Sequence, residues 1–218
     1  MPTPCAAAGA ACTSEWFPLR WQLDGHDGCE QAGLHGPMPL PWWSAGWYAG
    51  ALRNRMLELR RRPDRRLLVP AIASLQQAMA AAPIAPEAPH LLLVPLPGWH
   101  SDGNPLPALL AQTLADRLNQ PAHAPSRYVL RPELLQRNRC VASQHLLARQ
   151  DRWRNQWLSF RALLAPLKQQ PGINPVLLVD DVLTSGATAL AARHALESAG
   201  WSVAGLLCLA RTPRHRVI

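Results

Sequence analysis

Lysine is almost missing from this chain. Of 22 basic residues in 218, only Lys168 is a lysine, so the formal charge of +8 at pH 7 is carried by arginine. Uninterrupted apolar runs of membrane-spanning length are missing too, because 22 prolines break the chain up. No basic residue precedes the short Ala-rich run in MPTPCAAAGAACTSEW, which makes that stretch a poor secretory signal, and the chain reads as cytoplasmic. None of the five cysteines has a partner at CxxC spacing. An odd count in a cytoplasmic chain argues against a disulfide framework. A zinc site would need an irregular set such as Cys5, Cys12 and Cys29 with His26 or His35, and no zinc is expected. A GxGxxG fingerprint, a lysine-bearing nucleotide loop and an internal repeat are also missing.

What remains describes a globular chain. The apolar fraction is 48% and the charged fraction 17%, which excludes a disordered polyelectrolyte. A chain of this length buries a core without covalent staples. It suits one domain with an accessory segment, or two small domains. The arginines are not evenly spread. Seven fall between Arg53 and Arg66 against Glu58 and Asp64, and eight between Arg127 and Arg161 against Glu133 and Asp151. A general arginine bias in composition would explain part of this. Affinity for phosphates or nucleic acid would explain the clustering.

Residues 1–46 are rich in Pro, Gly and Trp and show no sustained period, as expected of an irregular arm. Helical spacing of Trp47, Leu52, Met56, Leu57 and Leu59 predicts a helix over 46–62, stopped by Pro63. A second helix is predicted over 66–82, and a proline-rich connector over 83–90. The continuous apolar run Leu91 to Val94 predicts a strand covered on both faces. An amphipathic helix follows over 105–118, then a short strand over 128–130 and a helix over 143–160. Val176 to Val179 is the strongest strand, followed by a helix over 187–199 and a strand over 201–209. Strands alternating with helices imply an α/β fold with a parallel sheet.

Two carboxylates, Asp180 and Asp181, close the strongest strand, and Thr184-Ser185-Gly186-Ala187-Thr188 follows them. Ligands of open α/β sheets bind beyond the carboxyl ends of the strands. Successive strand residues point to opposite faces, so the two carboxylates are expected to diverge and serve different partners. Small hydroxyl residues leading into a helix can wrap an anion with backbone N–H groups. Gly186 permits close approach. The acids ask for hydroxyl donors or a cation, while the loop asks for a phosphate. A sugar with vicinal hydroxyls near a phosphate, such as ribose 5-phosphate, satisfies both. The plainer alternative is a capped strand end followed by an ordinary βα turn.

The 13 residues VLLVDDVLTSGAT resemble the phosphoribosyl diphosphate (PRPP) motif of type I phosphoribosyltransferases. The surrounding chain resembles the ComF family of amidophosphoribosyltransferase-like proteins, named for competence, over about residues 47–212. An aromatic and basic helix (Tyr48 to Arg62) precedes a VPLP strand (Val94-Pro95-Leu96-Pro97). A later family pattern is matched at Arg137, Arg139, Gln144, Leu147, Arg152, Asn155 and Phe160, with Val141 in place of the pattern's Thr. The resemblance implies a type I phosphoribosyltransferase-like parallel sheet flanked by helices, over 87–218. Before it, over 1–86, comes an irregular and helical hood-like segment that lacks the family's CxxC pairs.

The same resemblance implies Mg²⁺-assisted displacement of diphosphate at ribose C1. Asp180 and Asp181 would act as the catalytic pair on the ribose hydroxyls, and Thr184, Ser185, Gly186, Ala187 and Thr188 would bind the 5′-phosphate. The diphosphate loop would include Pro97, Gly98, Trp99 and His100. Here the chain departs from the family. The stretch GWHSDGNPLPALL has Asn104 where the family has an RGFNQ-like segment, but no arginine, and His100 is opposed by Asp102. Two readings follow. One is a phosphoribosyltransferase for an acceptor the sequence does not identify. The other is a weakly active or non-enzymatic accessory protein for DNA uptake, which keeps the phosphate loop. In the second reading the arginine clusters, with Trp47, Trp153 and Trp157, would contact single-stranded DNA through charge and stacking. Core packing is the commoner fate of such tryptophans.

Overall fold

The structure is a computed structural model that describes residues 34–36, 40–84, 88, 90–98, 104–120, 127–138, 159–163 and 174–212. Its centre is β7 (Val176–Leu183), a strand whose first four side chains are fully buried. Leu177 and Val179 enter one core cluster and Val176 and Leu178 the other, so the strand is covered on both faces. That is why it reads as a continuous apolar run. At roughly 1.5–3 kcal/mol per buried Leu or Val side chain, this strand can carry the cost of polar residues at its end.

Six strands form the main sheet in the order β1-β2-β8-β7-β3-β4. These are β1 (Leu34–Gly36), β2 (Trp42–Trp47), β3 (His90–Pro95), β4 (Arg127–Leu130), β7 and β8 (Val203–Arg211). Only β1 runs antiparallel to its neighbour; the other pairs are parallel. The described residues thus form an α/β structure on a mostly parallel mixed sheet flanked by helices. One face carries α1 (Gly50–Arg61), α2 (Arg65–Ala81) and α3 (Leu106–Leu118), which share a core with Trp43, Leu91, Leu93 and Leu207. The other face carries α4 (Ala187–Ser198) and the small antiparallel pair β5 (Leu135–Arg137) with β6 (Phe160–Ala162). No described helix is long and apolar enough to cross a membrane.

The helices begin and end for local reasons. Asp64 caps α2 by accepting the Arg66 N–H at 2.8 Å, a contact that satisfies one of the donors every helix start leaves over. Asn104 does the same before α3, its Oδ1 accepting the Leu106 N–H at 3.1 Å.

The segment expected to be irregular through residue 46, with a helix from there, differs. Trp42 to Trp47 is a strand that pairs in parallel with β8, and α1 starts only at Gly50. Trp42, Trp43, Ser44 and Ala45 are all buried, so the strand shows no alternation for a period to reveal. Trp43 anchors it from the side, its Nε1 donating to the Ala82 carbonyl at 2.7 Å. The helix expected over 143–160 lies largely outside the described residues. Its last residue, Phe160, begins β6 instead. There its ring stacks under the Arg137 guanidinium at 4.3 Å, a contact of the cross-strand pair Arg137↔Phe160.

The junction of β2 with β8 leaves no room at Gly205. A Cβ there would lie 2.4 Å from the Trp43 ring and 2.7 Å from the Pro41 carbonyl oxygen. Gly205→Ala should therefore force the two strands apart and lower stability by about 1–3 kcal/mol. Urea denaturation checks this, and an unchanged midpoint would argue against the β2–β8 contact.

Candidate functional site

β3 pairs with β7 only as far as Pro95↔Val179. Beyond that point β7 continues alone on that side, carrying Asp180 and Asp181 past the end of the ladder. The aspartates lie within the strand and not after it. Two local contacts follow from the interrupted ladder. Asp180 Oδ1 accepts the Asp181 N–H at 2.8 Å, and Asp181 Oδ1 accepts the Val182 N–H at 2.8 Å. The paired acids thus also accept from the backbone of β7 itself, next to the place where β3 ends.

The two carboxyl groups stay close enough to act on each other, but their surroundings differ. Asp181 is buried, and its Oδ2 accepts from Arg60 through Nε at 3.1 Å and Nη2 at 2.5 Å. Asn104 Nδ2 donates to the same oxygen. One amide therefore both accepts the first N–H of α3 and donates to the carboxylate, which fixes the orientation of the Asn104 side chain. Arg60, in the last turn of α1, stays more accessible, with its side chain 38% exposed against 9% for Asp181. Burial disfavours its charge, yet the hydrogen bond and charge of Asp181 outweigh burial and raise its pKa above the ordinary value.

Asp180 belongs to a different environment. Burial first, and then the neighbouring Asp181 charge, push its carboxyl up to about 8, while the Arg137 charge opposes the rise. Arg137 comes from β5, and its Nε donates to the Pro97 carbonyl at 2.8 Å. Its own burial pulls the guanidinium down to about 10, against the pull of Asp180, so it remains cationic at neutral pH. Cys208 lies on β8 opposite Asp180. Burial pushes its thiol up to about 12, which rules it out as a ready nucleophile.

The loop after the acids is built for a backbone that an ordinary residue resists. Gly186 caps α4 in the left-handed region, with φ 77° and ψ 0°. Thr184 is exposed, Ser185 and Thr188 are half-buried, and Gly186 and Ala187 are buried. From below, the buried Arg211 of β8 holds the loop. Its Nη1 donates to the Leu183 carbonyl at 2.8 Å and to the Thr184 carbonyl. The start of α4 presents N–H groups with no helical acceptor, a favourable place for an anion.

Asp180, Asp181, Pro97, Arg137 and the 184–188 turn are thus brought to one end of the sheet. Gly98 is exposed beside Pro97. Trp99, His100, Arg139, Gln144, Arg152 and Asn155 lie outside the described residues, as do Cys5, Cys12, His26 and Cys29. His35 is exposed on β1. Two participants were not legible as site residues. Arg60 reads in the sequence as one of a run of surface arginines, and Arg211 only as the polar end of an apolar strand. Among the described residues no group of three His, Cys, Asp or Glu side chains is placed to hold a metal ion. Chemically, the arrangement offers acceptors for hydroxyl groups and, one turn on, donors for an anion. No family model matches the chain, and no curated protein matches it.

The raised Asp180 pKa fixes the sign of a pH effect. The folded protein keeps a proton that the unfolded chain, with an ordinary pKa of about 4, releases. Stability from this group is therefore full below pH of about 4, falls as pH rises, and is lost once pH passes about 8. Asp180→Asn removes the titration. Denaturation midpoints from pH 4 to 9 should show wild type losing stability relative to the variant as pH rises, and parallel curves would rule out a protonated Asp180.

Proposed function

We propose that the chain binds PRPP or a related ribose 5-phosphate ligand and transfers its phosphoribosyl group to an acceptor, releasing diphosphate. The single observation that carries this reading is the sequence of groups along the end of β7 and the start of α4. Two adjacent acidic side chains in different surroundings are followed within five residues by a turn whose Gly186 sits at φ 77° on a helix N-terminus. Vicinal hydroxyls need the first, and a phosphate ester the second. The finer fold assignment, a type I phosphoribosyltransferase-like sheet, belongs to the same proposal, and the parallel strands with helices on both faces support it.

In this mechanism the phosphate is anchored at Thr184 to Thr188, and the aspartates accept hydrogen bonds from the ribose hydroxyls. The bond from C1 to the diphosphate oxygen breaks, its electron pair leaves with diphosphate, and the acceptor's lone pair forms the new bond to C1. The cationic, oxocarbenium-like transition state is favoured by the carboxylate charge near the ring. Positioning supplies much of the remainder. Among the described residues no group of three acidic, His or Cys side chains is gathered as a metal cage. Mg²⁺ would enter as the counter-ion that a diphosphate brings with it.

A second reading is favoured by the outer face of α1 and α2. Arg61, Arg62 and Arg66 are exposed there, and none pairs with a carboxylate among the described residues. Such a cluster suits single-stranded DNA, as an accessory protein for DNA uptake would need.

Two experiments test these readings. Calorimetry with PRPP and Mg²⁺ should show binding to the wild type and none to Gly186→Val, since a β-branched residue resists this φ; a folded variant of unchanged affinity would sink the phosphate assignment. Separately, replacing Arg61, Arg62 and Arg66 by Ala should flatten the salt dependence of single-stranded DNA affinity by up to about 2 in log–log slope. An unaltered slope would reject the accessory reading.

A further inference from the structure

The stretch from Pro97 to Asn104 contains no Arg or Lys, and neither does the stretch from Val182 to Ala192. A ligand bearing a diphosphate would therefore meet no arginine or lysine from either loop that frames β7. Of the described arginines at this end of the sheet, Arg211 is buried beneath the loop and holds its carbonyls. Arg137 donates to Pro97 and lies over the Phe160 ring. Arg60 differs from both. It crosses from α1 to reach a residue 121 positions later in the chain, and it covers Asp181 from the solvent side.

The hydrogen bonds at Asp181 are unequal in permanence. Oδ2 receives three donors, two from Arg60 and one from Asn104. A carboxylate oxygen accepts two in good geometry. Asn104 is tied at its other end to the Leu106 N–H. Arg60 has no such tether; its guanidinium ends a long side chain that is 38% exposed. Water screens the exposed guanidinium, but the carboxylate is buried, so Arg60 can leave only where another donor takes its place at Asp181. A ribose hydroxyl is such a donor.

We propose that Arg60 is the cation that recognises the diphosphate of the ligand. Without ligand it neutralises Asp181. When a ribose hydroxyl donates to Asp181, the guanidinium turns to the adjoining diphosphate, for which its planar fork is suited. The exchange keeps Asp181 hydrogen-bonded throughout and sets a preference for PRPP over ribose 5-phosphate. The inference rests on the phosphoribosyl reading above.

Its test compares two ligands on three proteins. Calorimetric affinities for PRPP with Mg²⁺ and for ribose 5-phosphate are measured on wild type, Arg60→Gln and Arg60→Lys. Arg60→Gln should weaken PRPP by about ten- to hundredfold, the worth of one charged hydrogen-bonding group, with ribose 5-phosphate affinity unchanged or tighter. Arg60→Lys keeps the charge at Asp181 and should recover part of the PRPP affinity, and it serves as the folded control if the glutamine variant is unstable. Equal weakening of both ligands in the variants would show that Arg60 merely positions Asp181, and would overturn the proposal alone. A wild type that binds neither ligand would remove the phosphoribosyl reading and the proposal together.

Discussion

A carboxylate at the end of a strand buried on both faces has to find a partner or give up its charge. Asp181 and Asp180 take these two courses, one beside the other. Asp181 draws Arg60 from α1 and Asn104 from the entrance of α3, so three separate parts of the chain meet on one oxygen. Burial and the neighbouring Asp181 raise the Asp180 carboxyl well above the usual carboxylate range. This pair of environments sets what the end of the sheet can do. One group is held by Arg60 and Asn104, and the other is a buried acid with a raised pKa. Perturbed pairs of this kind gather at functional sites, although ion pairs with no further role also perturb pKa.

The rest of the fold can be understood as holding that strand end in place. Burial of β7 by helices on both faces leaves its direction no freedom. β8 runs alongside in register from Leu177↔Gly205 to Leu183↔Arg211, and its last residue turns under the loop. Arg211 there donates to the Leu183 and Thr184 carbonyls from a position that is 4% exposed. A buried guanidinium that binds carbonyls makes the turn stiff without using a group that a ligand would need. β2 then covers β8, and the Trp42 ring lies 5.9 Å from the Arg211 guanidinium. Trp42 and its strand thereby support the site from behind.

Much of this architecture was legible from residue pattern. The apolar runs at 91–94 and 176–179, the helices over 105–118 and 187–199, and the alternation of strand and helix all appear where the spacing places them. Each depends on neighbours in the chain, since side-chain periodicity is a local property. The acids and the glycine of the turn were legible for the same reason: a strand end, a turn and a helix start are consecutive in the sequence. The β2 strand was not legible. Its residues are buried on both faces and include Ser44 and Gly46, so neither alternation nor a β-branched run marks it.

The sequence by itself determined that two acidic residues would sit at the carboxyl end of a central strand and that a glycine turn would follow. These features are consecutive in the chain, so local pattern reveals them. Only the tertiary structure decided their ionisation and their partners. Arg60 stands in a run of arginines that sequence alone cannot tell apart. One of them reaches Asp181 because α1 packs on the sheet with Met56 and Leu59 buried, which turns Arg60 toward the strand end and leaves Arg61 and Arg62 in solvent. Charge–charge contacts between residues 121 positions apart carry no local signature. They follow from which helix face is buried, and that is settled only when the core is assembled.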